Sequence, residues 1–150
     1  MKIKVFLIIA LIISGGELMG QVRIITQAEK VKRDHEIVLM SDKISVAVDR
    51  LDSLRADFRN FSLKVNFSKL SSDEKKLISD KSKGMIRQII KVEDAILSLK
   101  KFANENYIEN DKRKKSLLDM VTKSEEWFDS VRKPLEASLE GIRKKFDLKY

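Results

Sequence analysis

Three kinds of residue in this chain have side chains suited to chemistry: a single histidine, adjacent carboxylates and dense basic runs. His35 is the only His, and imidazole titrates near neutral pH, so one chemistry to weigh is a proton switch. Its position on an apolar helical stripe, described below, points instead to a residue packed against a neighbouring helix. The carboxylates Glu93-Asp94 and Glu125-Glu126 alternate with lysines at helical spacing. That spacing predicts ion pairs one turn apart on solvated faces rather than an acid and a base facing one another across a cleft. No Gly-rich phosphate loop occurs, and no nucleophile has a recognisable base beside it.

The basic runs are Lys30-Val31-Lys32-Arg33, Lys112-Arg113-Lys114-Lys115 and Arg143-Lys144-Lys145. Such runs bind the phosphates of nucleic acid or of anionic lipid, or simply form a solvated cationic face. Lys112, Arg113, Lys114 and Lys115 fall at the expected start of a helix, where positive charge opposes the helix dipole. These four are therefore the candidate contact for an anionic membrane surface or partner. Trp127-Phe128, followed by Pro134, is a second candidate anchor. Its place on a helical stripe predicts core packing instead.

Composition narrows the function classes. The chain has 150 residues, 31 Lys+Arg against 23 Asp+Glu, and a net charge of +8. Hydrophobic residues make up 43%, enough for the packed core of one domain. With 5 Gly and 1 Pro the chain lacks the turn residues of an all-β sandwich or barrel. With no Cys it has no disulfide, thiolate nucleophile, cysteine-rich zinc site or lipid-modified N-terminal cysteine. One His leaves no multi-histidine metal site. No catalytic residue, cofactor or metal ligand is expected, and the chain reads as a non-enzyme.

The elements that must position these residues are helices. Met1-Lys2-Ile3-Lys4 is a short cationic start, Val5 to Ile13 are nine apolar residues, and Ser14-Gly15-Gly16 and Gly20 follow. This order is that of a secretory signal cleaved after Gly16 or Gly20, since nine apolar residues are too few to span a bilayer. The expectation is an exported protein, periplasmic or membrane-associated, that rarely meets nucleic acid.

Beyond the signal, apolar residues recur at steps of three and four. Ile24, Ala28, Val31, His35 and Val38 form one stripe. Ile44, Val48, Leu51, Leu54, Phe58, Phe61 and Val65 form another, reached through Ile37 and Met40, with a slip of register near Ser41-Asp42. One helix over about 22–66 accommodates both. Ser71 and Glu74 have capping-box spacing and open a second helix over about 72–104. Its stripe is Ile78, Ser82, Met85, Ile89, Val92, Ile96, Leu99 and Ala103, all at heptad steps. Residues 104–111 contain three Asn and read as a linker, with Asn110 or Asp111 as a cap. A third helix over about 111–147 carries Leu117, Val121, Ser124, Phe128, Val131, Leu135, Ser138 and Ile142, with a kink expected near Pro134. Short connections make neighbouring helices antiparallel. The expected fold is all-α, an elongated antiparallel three-helix bundle with coiled-coil-like packing. Its core should include Leu51, Phe58, Ile89, Ile96, Val121 and Phe128.

The signal-like opening Met1-Lys2-Ile3-Lys4-Val5-Phe6-Leu7, the absence of Cys, and the Lys- and Ile-rich helix from Val22 to Val65 together resemble the Borrelia haemolysin accessory family (BlyB-like). Those proteins are prophage-encoded partners of a small membrane holin. The resemblance implies a non-enzymatic accessory that stabilises or times a small holin-like pore former at the cytoplasmic membrane. It rests on overall character and carries over no functional residue. A secreted, adhesin-like basic binding protein and a periplasmic chaperone-like bundle are the alternatives. The oligomeric state stays open, a homo-oligomer included.

Overall fold

The computed structural model describes residues 26–149, and the signal-like segment and residues 22–25 lie outside them. The described chain forms three helices and no strand: α1 (Gln27–Ser62), α2 (Ser72–Asn106) and α3 (Lys112–Phe146). No helix among the described residues is long and apolar enough to cross a membrane.

Local chemistry sets each boundary. Thr26 is an extended N-cap whose hydroxyl accepts from the Glu29 N–H at 3.2 Å, while Glu29 Oε2 accepts from the Thr26 N–H at 2.9 Å. This Thr-x-x-Glu capping box starts α1 at Gln27, later than the expected residue 22. α1 runs unbroken through Ser41-Asp42 and stops at Ser62, before the expected residue 66, because Asn66 folds a turn that accepts from the Ser68 and Lys69 N–H groups. The expected box at Ser71 and Glu74 is present, with bonds of 3.2 and 2.8 Å. The Ser71 backbone N–H, and after it the Ser71 hydroxyl, donate to Glu74 Oε2 and hold that carboxyl below its ordinary pKa. Asp111 caps α3 by accepting from the Arg113 N–H at 2.7 Å. Asp147, in the left-handed conformation at φ 50°, closes α3 while the Leu148 N–H bonds back to the Arg143 carbonyl.

Contacts run in opposite order along neighbouring helices, so each sequential pair is antiparallel. From one end to the other, Arg33, Ala47 and Phe61 of α1 meet Tyr107, Gln88 and Lys81 respectively. Glu125 and Arg132 of α3 meet Lys100 and Glu93 of α2. α2 packs against both other helices, whereas no Cα of α1 comes within 8 Å of one in α3. α2 is therefore the central helix.

The heptad stripe of α2 is buried at every position from Ile78 to Ala103. Leu51, Ile89, Ile96, Val121 and Phe128 are buried as expected, but Phe58 is only half-buried, because it borders a groove described below. In α1 the buried register is Ile37, Met40, Ile44, Ala47, Val48 and Leu51. The upstream stripe is not core: Ala28, Val31, His35 and Val38 are exposed on the opposite side of the helix. In α3 the helix continues through Pro134 without restarting, and its buried face shifts by one residue beyond it, so Leu139 is buried and Ser138 exposed. Gly84 and Gly141 each have open space where a Cβ would stand, so neither marks a close helix approach.

Candidate functional site

The basic run at the start of α3 lies where three chain segments converge: the N-terminal part of α1, the C-terminal end of α2, and α3 itself. Lys112, Arg113, Lys114 and Lys115 fill the first turn of α3, which contains no acidic residue. The anion that the helix N-terminus favours is the Asp111 cap, and further carboxylates reach the side chains of the run. Arg113 forks onto Asp34 of α1, with bonds of 2.6 and 3.2 Å, and this raises the guanidinium pKa above its ordinary value. Lys114 is 6% exposed, its stem in the core and its Nζ 2.8 Å from Glu109 in the α2–α3 connection. The hydrogen bond from Lys114 holds the Glu109 carboxyl below its usual range. Lys112 and Lys115 are exposed and have no carboxylate within ion-pairing distance among the described residues. The run therefore does not act as four equivalent charges: two cross-link the fold and two face solvent.

The other basic runs are divided in the same way. Arg33 donates to the Asn106 carbonyl and lies over the Tyr107 ring at 5.4 Å. Arg143 and Lys144 share Glu140, which draws its pKa down to about 2, the Arg143 hydrogen bond contributing most. Lys145 lies over Phe146.

The carboxylates singled out in sequence form cross-helix pairs as well as local ones. Glu93 pairs with Arg132 and Glu125 with Lys100, both at 2.9 Å across the α2–α3 seam. Glu93, Glu125, Asp129 and Arg132 line a hollow of about 270 Å³ floored by Ile96 and Phe128. Each carboxylate there already holds a cation, and the Asp129 pKa is lowered, by Lys133 first and by Arg132. The arrangement suits cross-linking of helices rather than proton transfer, because a general acid at neutral pH needs a raised carboxyl pKa.

His35 is exposed and lies outside the core, contrary to the packing reading. Trp127 and Phe128 part company: Phe128 is buried and Trp127 is 42% exposed. Adjacent helical positions are about 100° apart, so one of the pair leaves the core face when the other lies on its centre.

A feature that the sequence reading missed is an open groove of about 680 Å³ where α1 and α3 stand apart. Met85 of α2, Phe58 and Leu63 of α1 and its following turn, and Leu135 of α3 line it, together with Arg59 and with Arg55, which pairs with Asp52 at 2.9 Å. No spacing in the sequence signalled it: the α1 slip near Ser41-Asp42 lies upstream of the groove residues, and the α3 stripe keeps its steps of three and four across Pro134. No protein-family model, curated protein or solved structure matches the chain.

Proposed function

We propose that the chain is an exported, non-enzymatic accessory of a small membrane pore former, and that it binds an apolar helix of that partner in the groove between α1 and α3. The observation that carries this reading is the groove itself: apolar surface from Met85, Phe58, Leu63 and Leu135, bordered by polar residues that include Arg59 and the Arg55–Asp52 ion pair. A groove of this make-up suits an amphipathic or membrane-derived helix laid along it. The likeness to the haemolysin accessory family supplies the class of partner. Export follows from the signal-like order of residues 1–20, whose removal leaves the whole described bundle in place. The exposed Lys112 and Lys115 assist at anionic lipid.

The basic runs lend less support to an adhesin-like binder of acidic polysaccharide. Arg33, Arg113, Lys114, Arg143 and Lys144 already have partners within the fold.

The test is co-purification from membranes with a single-span peptide encoded beside the gene, in low and high salt. Apolar burial is not screened, so binding should survive high salt. Ala56→Arg, at an exposed groove position, should abolish co-purification while leaving the helical circular dichroism intact. Retention of the complex by this variant, or recovery of the uncleaved chain in the cytosol, would overturn the proposal.

A further inference from the structure

α1 has two apolar faces, and the bundle uses only one. Ile37, Met40, Ile44, Ala47 and Leu51 face α2. On the opposite side Val31, Val38, Leu39 and Val46 are 59%, 56%, 46% and 67% exposed. At about 100° per residue these four, with His35 and Asp42 between them, occupy an arc of only about 100°. Valine is a weak helix former, so three valines on a solvated helix face have no local rationale. The α3 backbone does not cover them, since no Cα of α3 comes within 8 Å of one in α1.

The six residues have palindromic spacing. Positions 31, 35, 38, 39, 42 and 46 follow steps of 4, 3, 1, 3 and 4, which read the same in either direction along the helix. A two-fold axis between Val38 and Leu39 therefore maps the face onto itself. An antiparallel second copy would set Val31 against its Val46, Val38 against its Leu39, and His35 against its Asp42. Each layer pairs apolar with apolar or imidazole with carboxylate. A parallel second copy would instead oppose Asp42 to Asp42, which is unfavourable. Isologous interfaces have this self-complementary form, and one polar layer within an apolar seam fixes register.

We infer that this outer face of α1 is the interface of an antiparallel homodimer, its register set by His35 of each copy against Asp42 of the other. The contact covers about 24 Å of helix, shorter than a standard stable interface, so the dimer forms in the micromolar range. The interface is separate from the α1–α3 groove and stands whether or not the groove binds a pore former.

Sedimentation equilibrium of the purified full chain should show a monomer–dimer equilibrium. His35→Asp places two carboxylates opposite one another and should weaken dimerisation at least about tenfold, and adding Asp42→His should restore it. All six positions are exposed or half-buried on the outer side, so circular dichroism should be unchanged in both variants. Because the chain has no Cys, Val31→Cys and Val46→Cys also report geometry. The two positions are about 22 Å apart within one helix. Neither variant should cross-link alone, whereas a mixture of the two should form a disulfide-linked dimer. A monomer at all concentrations up to about 100 µM, self-cross-linking of either single variant, or failure of the charge exchange to restore association would overturn the proposal.

Discussion

The Gln88 side-chain amide donates to the Ala47 backbone carbonyl at 2.8 Å, across the seam between α1 and α2. Gln88 is buried, and its bond reaches a carbonyl that already serves the α1 ladder. It fixes how α1 slides along α2, a degree of freedom that apolar side chains alone restrain weakly. Gln88→Met keeps the volume and loses the bond, and should destabilise by about 1 kcal/mol. Gln88→Ala also leaves a cavity and should cost about 2 kcal/mol or more. Urea unfolding measures both, and an unchanged stability for Gln88→Met would mean that the bond contributes nothing.

Two positions in α2 should gain stability on becoming alanine. Ser82 is fully buried and its hydroxyl has no hydrogen-bond partner among the described residues. Ser82→Ala removes that unsatisfied group and should stabilise by about 1 kcal/mol. Gly84 has open space for a Cβ, so Gly84→Ala should add about 1 kcal/mol through helix propensity and a less flexible unfolded chain. A lower melting temperature for either variant would contradict these assignments.

The division of the Lys112–Lys115 run predicts a division of effects. Lys114→Met leaves Glu109 fully hydrated, keeps the buried stem and removes a charge from the core, so stability should hold or rise. It should leave binding to anionic liposomes unchanged. Replacing Lys112 and Lys115 together by Ser should weaken liposome binding at low salt, at about 1 kcal/mol per charge, with the fold unaffected. Equal losses from the two sets would show that all four charges face the lipid.

The lowered Glu140 pKa has a definite pH signature. A carboxyl whose folded pKa lies below its unfolded value contributes stability above the unfolded pKa, about 4.5 here, and loses that contribution as pH falls toward about 2. Melting temperature should therefore decline over that window, and Glu140→Gln should make the decline shallower. The loss of the Arg143 and Lys144 partners should first loosen the end of α3.

The helices were legible in sequence to different depths, for physical reasons. α2 is sandwiched between two neighbours, so its single strong stripe had one meaning, and every stripe residue is buried. α1 presents two apolar faces at helical spacing, and periodicity alone does not say which face has a partner. Val31 and Val38 were therefore grouped with the core although they point away from it. The Thr26–Glu29 capping box was readable, yet its four-residue signal was submerged in a long run free of Gly and Pro. Beyond Pro134 the helix persists but its face rotates, which exchanges Ser138 for Leu139. The basic run at Lys112–Lys115 was found in sequence, but its partners Asp34 and Glu109 were not. Asp34 lies 79 residues from Arg113, a distance that only the fold closes.

The central place of α2 bears on how the molecule comes apart. α1 and α3 each lean on α2 and have little hold on one another. Either flank can detach while the remaining antiparallel hairpin persists, so opening has two separate first steps. Amide protons of α2 around Ile89 to Leu99 exchange only once both flanks have left, and should be the slowest in the chain. Because each hairpin joins neighbours in sequence, few distant contacts must be gathered, and folding should finish within milliseconds or less.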